Sequence, residues 1–183
     1  WRNLRAGAFS GPVYGVNPKH AMLVGVPVDA RASQLPAAPD LALICTPPHT
    51  VAGLAGELGA LGTRAVVIVT AGLSAEQKQA TLDAARANTV RLLGPNCIGL
   101  LSPHIGLNAS FAHCDALAGD IAFVSQSGAL ATAVLDWTRS RGVGLSHLVS
   151  LGDHCDVDFG DLLDHLANDA RTRSILLYVE AIE

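Results

Sequence analysis

Ile121-Ala122-Phe123-Val124-Ser125-Gln126-Ser127-Gly128-Ala129-Leu130 reads as an apolar strand that stops at Ser-Gln-Ser-Gly and resumes as a helix. A strand delivering the chain to a helix start is half of a β-α-β unit, and the rest of the sequence repeats the pattern. Strands are expected at Pro12–Val16, Leu41–Thr46, Ala65–Thr70, Val90–Leu93, Ile121–Ser125, Ser146–Leu151 and Ile175–Val179. Helices are expected at His49–Leu61, Ala75–Ala87, Ser127–Arg141 and Phe159–Asn168, the second opening on a Ser74…Gln77 capping box. Strand-length apolar runs alternating with Ala-rich helical segments predict an α/β fold with mostly parallel sheets. At Ser125, Gln126, Ser127 and Gly128 the first helical turn offers backbone N–H groups and the positive end of the dipole. Gly128 removes the side chain that would block a phosphate. Those four residues fit equally well a plain serine cap followed by a packing glycine.

Composition supports the class. Half of the 183 residues are hydrophobic and 15% are charged, enough apolar material for a sizeable core. The net charge of -4, with Lys and Arg scattered, argues against nucleic acid. No apolar stretch approaches the roughly 20 residues of a membrane span, and no secretory leader is evident at Trp1, so a cytoplasmic setting is expected. Cys45, Cys97, Cys114 and Cys155 are far apart in sequence and are expected to be free thiols.

Between Ser102 and Gly119 the alternation breaks at Pro103, Gly106 and Asn108. This stretch is expected to be a linker between a first unit, residues 1–114, and a second, residues 115–183. Trp1–Gly7 resembles the tail of a helix, so an earlier strand and its glycine-rich loop are expected upstream. The other end closes as a strand brings Glu180 to its carboxyl edge.

Four further strand ends carry candidate ligand chemistry, since open α/β sheets bind ligands outside the carboxyl ends of their strands. Gly94-Pro95-Asn96-Cys97-Ile98-Gly99 offers the amide of Asn96 and a cysteine, or simply a punctuated turn around a buried thiol. Cys45-Thr46-Pro47-Pro48-His49, Thr70-Ala71-Gly72-Leu73-Ser74 and Val16-Asn17-Pro18-Lys19 would add three loops to one rim, though each alone is an ordinary turn. Asp153-His154-Cys155-Asp156-Val157-Asp158 packs five potential metal ligands into six residues. The expectation there is a solvated turn with Asp158 at a helix start, and no metal.

Taken in order, Val16–Lys19, Thr46–Pro48, Thr70–Gly72, Gly94–Gly99, Leu107–Phe111, Val124–Leu130, Val149–Asp153, Asp156–Asp161 and Leu176–Glu180 resemble ADP-forming acyl-CoA synthetases over essentially the whole chain. Succinyl-CoA ligase α-subunits look like more distant relatives. The resemblance implies a Rossmann-like unit that binds CoA, followed by a flavodoxin-like unit that presents a helix start to a phosphohistidine. It places Lys19, Pro47, Thr70, Gly72 and Asn96 at the CoA rim and Ser125, Gln126, Ser127 and Gly128 at the phosphate, with Glu180 hydrogen-bonding the transferred histidine. The implied reaction is acyl-CoA, phosphate and ADP to carboxylate, CoA and ATP. ADP or ATP with Mg would sit on a nucleotide-grasp domain or subunit outside these residues.

The phosphorylated histidine of that family lies in a Ser-His-Thr-Gly-like segment, and none of the seven histidines here has that context. It is expected outside the chain, so the fragment alone is expected to be inactive. A non-catalytic, synthetase-like regulatory region of a protein N-acetyltransferase is the alternative parent. A nicotinamide-binding domain fits less well, because no G-x-G-x-x-G occurs.

Overall fold

The computed structural model describes residues 1–181. A short helix α1 (Arg2–Ala6) leads to a two-stranded antiparallel ribbon, β1 (Met22–Leu23) with β2 (Val26–Pro27). Then come β3 (Leu41–Ile44), α2 (Pro48–Leu61), β4 (Ala65–Ile68), α3 (Ala75–Arg86) and β5 (Arg91–Leu93). The chain continues through β6 (Gly99–Ser102), β7 (Leu107–Ser110), β8 (Ala118–Ser125), α4 (Gly128–Ser140), β9 (Leu145–Ser150), α5 (Phe159–Ala167) and β10 (Ser174–Tyr178).

Two larger sheets result. The first is β3-β4-β5, parallel throughout, and the second runs β10-β8-β9-β6-β7. In the second sheet β10, β8 and β9 are parallel, whereas β6 is antiparallel to both β9 and β7. Both layers are those expected of an α/β chain.

Side-chain alternation shows how the sheets share a core. Val66 and Ile68 on one face of β4 pack with Val51, Leu58 and Leu92 beneath α2. Val67, between them, points to the opposite face and joins Leu93, Ala122, Val124, Val149 and Leu166, so the two sheets and α5 meet in one apolar cluster. On the far face of the second sheet, Phe123 and Leu148 pack against Ala131 and Leu135 of α4.

Polar ties reinforce the seam. Arg91 bridges Asp156 at 3.1 Å and Asp161 at 2.7 Å, and Lys78 reaches Asp153 at 2.6 Å. Gly152 is pressed against the backbone of the first unit. A Cβ there would lie 2.2 Å from the Pro95 carbonyl oxygen, and its φ of 58° already favours glycine.

Two expectations need correction. The stretch from Ser102 to Gly119 is not a linker, because it holds β7 and the start of β8, and β6 before it pairs with β9. Its apolar content is low because the buried positions of β7 include the polar Asn108 and Ser110, bonded to each other at 2.6 Å. Pro12–Val16 is not a strand; Val16 makes one isolated bridge to Asp29. Among the described residues, no helix is long and apolar enough to cross a membrane.

Candidate functional site

The carboxyl ends of the two sheets converge on an open cleft of about 570 Å³. From the side of the first sheet come Val69, Ala71 and the turn Asn96–Ile98, and from the side of the second Phe111, Gln126, Ser127, Gly128, Ala129, Thr132 and Glu180. The cleft therefore gathers Asn96, Gln126, Ser127, Gly128 and Glu180 of the sequence-derived set. Lys19, Pro47, Thr70, Gly72 and Ser125 are not in its lining.

Their local roles explain the division. Lys19 is exposed, with its backbone N–H donating to Asn17 Oδ1 at 2.9 Å. Pro47 is the residue before α2, and the Thr70 hydroxyl donates to the Thr46 carbonyl at 2.7 Å, tying neighbouring strand ends together. Gly72 is exposed with a φ of 77° and open space where a Cβ would stand. Asn96 adopts φ 59°, which asparagine tolerates, and its side-chain amide donates to Asp153 Oδ1 at 3.1 Å.

In the second unit the hydroxyl groups are largely committed. Ser125 is fully buried and donates to the Ser127 carbonyl at 2.9 Å, while Ser127 Oγ accepts from the Leu130 amide at 3.3 Å and so caps α4. Gln126 acts as a clasp on the last strand. Its Oε1 accepts from the backbone of Glu180 at 2.5 Å and Ala181 at 3.2 Å, and its Nε2 donates to the Ala181 carbonyl. That clasp fixes the backbone of Glu180, a residue of the cleft wall.

Charge at the helix starts separates them. Glu76 lies in the first turn of α3, and Asp158 and Asp161 form a capping box on α5, so carboxylates already complement both dipoles. α2 and α4 have no acidic residue in the first turn. Of these two, α4 faces the cleft, with Gly128 at its first position; a Cβ there would come within 2.9 Å of Ile98 Cγ2.

Cys97 is a wall of the cleft rather than a nucleophile. Burial pushes its thiol up to about 11, and Sγ donates to the Ile68 carbonyl at 3.3 Å, so it is protonated at neutral pH. The carboxylates of the 153–158 run all have protein partners: Asp153 holds Lys78 and Asn96, Asp156 holds Arg91 and the Leu92 amide, and Asp158 accepts from the Asp161 amide. Phe111 and Thr132 escaped the sequence reading. Phe111, just after β7, is 61% exposed beside the buried Asn108, Ala109 and Ser110, a feature that the sequence alone does not show.

Residues 1–103 match the family described as CoA binding domain, which is more than half of the chain. The chain belongs to that CoA-binding family. Behind this CoA-binding region, residues 118–183 match the succinyl-CoA ligase like flavodoxin domain. The combination is that of ADP-forming acyl-CoA synthetases, as the motif order implied. Acetate–CoA ligase [ADP-forming] I of Archaeoglobus fulgidus is 38% identical over the whole chain, which spans 27% of that protein. The α-subunit of acetate–CoA ligase [ADP-forming] II of Pyrococcus furiosus is 35% identical over 94% of the chain and 39% of its own length. A dinucleotide-forming acetyl-coenzyme A synthetase 1 from Ca. Korarchaeum cryptofilum, solved with phosphate and ADP, superposes with a TM-score of 0.94 at 36% identity. All of this chain and 40% of that one are covered. The CoA-binding chain thus spans well under half of each relative.

Proposed function

We propose that this chain supplies the CoA-binding and phosphate-presenting parts of an ADP-forming acyl-CoA synthetase. The parent protein would convert acyl-CoA, phosphate and ADP into carboxylate, CoA and ATP, in either direction. The observation that carries the reading is a cleft shared by both units, in which the start of α4, with no first-turn carboxylate, shares the lining with Asn96 and Glu180.

In this reading Lys19, Pro47, Thr70, Gly72 and Asn96 form the CoA side, with Asn96 alone of them reaching the shared cleft. Ser125, Gln126, Ser127 and Gly128 shape the phosphate side. The committed hydroxyls shift the work to the backbone: the N–H groups of Gly128 and Ala129 belong to a first turn that has no intrahelical acceptors for them. Ser125 and Gln126 hold that turn and the Glu180 strand end in place. Glu180 accepts a hydrogen bond from a phosphorylated histidine carried by a segment outside these residues, and ADP or ATP with Mg sits on a nucleotide-grasp domain or subunit. The ligand roles divide at the 114/115 boundary read from sequence, although the sheets change over earlier, within the turn before β6. The setting we propose is cytoplasmic, with a small carboxylate or acyl-CoA as substrate and neither nucleic acid nor membrane as partner.

Titration calorimetry with CoA and with NAD tests the first half, and CoA-selective binding is expected. Tight NAD binding without CoA binding would refute it. For the second half, the full-length protein is incubated with ATP and its acid-labile phosphate measured. Phosphorylation that is unaffected by Glu180→Gln would remove Glu180 from the site.

A further inference from the structure

A cluster outside the cleft lining carries a different chemistry. His113 and Cys114 lie on the segment between β7 and β8, and Asp136 lies on α4. His113 Nε2 is 2.6 Å from Asp136 Oδ1, Cys114 Sγ is 3.8 Å from the same oxygen, and all three donor atoms lie within 4.8 Å of one another. We propose that His113, Cys114 and Asp136 form a three-ligand site for a divalent zinc-class ion, leaving one position for water.

The donor set points to that class. Imidazole nitrogen, thiolate sulfur and carboxylate oxygen together suit a borderline-soft ion such as Zn²⁺ rather than Mg²⁺ or Ca²⁺, which take oxygen ligands. Bonds of about 2.0 Å to nitrogen and oxygen and 2.3 Å to sulfur, at tetrahedral angles, place donor atoms roughly 3.3 to 3.6 Å apart. The sulfur–oxygen separation is already close to this, and the nitrogen–oxygen hydrogen bond need only open by less than an ångström.

The surrounding bonds hold the ligands ready. Asn108 donates to Asp115 Oδ1, Arg139 of α4 donates to the Asp115 carbonyl at 2.8 Å, and Asn3 donates to the Ala112 carbonyl at 2.7 Å. The segment bearing His113 and Cys114 is thus tied down at Ala112 and Asp115, on either side of the two ligands, before any ion arrives. Cys114 also packs against the cluster beneath α4.

Placement gives the site a purpose. Gly128, Thr132 and Asp136 follow one another at four-residue spacing on α4, and Phe111 precedes His113 by two residues. Gly128, Thr132 and Phe111 line the cleft. An ion held here clips the Phe111 segment to the helix whose start faces the cleft.

Co²⁺ is the probe, because it takes zinc sites and reports its ligands optically. Added to the full-length, reduced protein, it should bind one per chain and give both a near-ultraviolet thiolate charge-transfer band and the intense visible bands of tetrahedral coordination. Zn²⁺ should displace it. Cys114→Ser should abolish the charge-transfer band, and His113→Ala and Asp136→Asn should each weaken binding about tenfold or more, on the scale of other metal-site lesions. Cys45→Ser and Cys155→Ser should leave the spectrum unchanged. Binding without the thiolate band, a band that survives in Cys114→Ser, or no stoichiometric binding would overturn the proposal and leave His113 and Asp136 as a surface ion pair.

Discussion

The first sheet is three parallel strands with both faces covered, while the second mixes parallel and antiparallel strands and ends on a partly open edge. Val66, Val67, Ile68 and Leu92 in the first are each 1% exposed or less. Leu176, Leu177 and Tyr178 on β10 of the second are 53%, 41% and 38% exposed. The same contrast recurs at the helix starts. α2 begins on Pro47 and Pro48 with no side-chain cap, whereas α4 begins on a serine cap followed by a glycine. A start closed by proline rings is rigid and offers fewer donors, since proline has no N–H. A Ser-Gly start leaves amides and room. The two units are therefore not duplicates: one buries its strands on both faces, and the other turns a serine-capped, glycine-opened helix start toward the cleft.

The seam is where the pair can be broken hardest. Gly152→Ala puts a Cβ into the carbonyls of Pro95 and Asn96 at 2.2 and 2.6 Å, in a left-handed conformation that alanine disfavours. Backbone cannot yield as a flexible side chain can, so a loss of about 3 kcal/mol is expected, combining overpacking with backbone strain. Urea unfolding should show the lower midpoint, and amide exchange should quicken first around Asn96 and Asp153. Unchanged stability would mean that the units are held together by something other than this close approach. Alanine at Gly53, where nothing stands within 4 Å of a Cβ, is the matched control in the first unit.

The same contrast decided what could be read in sequence. The first sheet and α2 and α3 were legible because parallel strands buried on both faces are continuous apolar runs, and Ser74 with Gln77 spells a helix start. β6 and β7 were not, since their buried positions include Ser102, Asn108 and Ser110, and the bonds of Asn108 to Asp115 and Ser110 that satisfy the last two follow no strand periodicity. At the site, Gly128 and Asn96 could be named from turn and cap chemistry. That Gln126 would spend its amide on residues 180–181 depended on the β8–β10 pairing, which no local pattern encodes. Phe111 closes the Leu107–Phe111 motif, and its place on the cleft wall follows from the β6–β7 pairing.

A smaller perturbation separates the two helix starts. Gly128→Ala introduces a Cβ 2.9 Å from one side-chain atom, the branch methyl Cγ2 of buried Ile98, with no backbone in the way, so the fold should suffer less than in Gly152→Ala. In the full-length protein, phosphoryl transfer should slow on the order of tenfold, about 1.4 kcal/mol, while CoA affinity stays within twofold. Pairing it with Ile98→Ala removes the Cγ2 methyl, and with it the contact, at its own cost in core packing, and should not restore transfer. Restored transfer would mean that the glycine serves packing only. A parallel loss of CoA affinity would show that the cleft does not divide its ligands between the units.

Mild acid should distinguish the sheets with the smallest effect. β3, β4 and β5 contain no histidine, whereas His147 lies half-buried in β9, 3.2 Å from Asp169 Oδ2 and edge-on to His165 at 6.3 Å between ring centroids. Two influences oppose each other there. Burial favours the neutral imidazole and lowers its pKa, while the Asp169 carboxylate favours the cation; burial wins, and the net direction is down from 6.5. Asp169 itself is held below its ordinary value, first by the Thr172 hydroxyl at 2.7 Å. With the folded pKa of His147 below the unfolded one, the unfolded chain takes up the proton first. Stability is therefore full above about pH 6.5 and declines as pH falls toward the folded value. The Asp169 contribution runs in a lower window, being lost only as pH falls through its depressed pKa. Lowering pH from about 7.5 to 5.5 should thus shift the urea midpoint down by less than Gly152→Ala does, and faster amide exchange should appear in β9 while β4 is unaffected. His147→Gln should flatten the dependence. An imidazole resonance of His147 that titrates above 6.5 would mean that Asp169 outweighs burial, and acid would then strengthen the pair until the carboxylate itself is protonated.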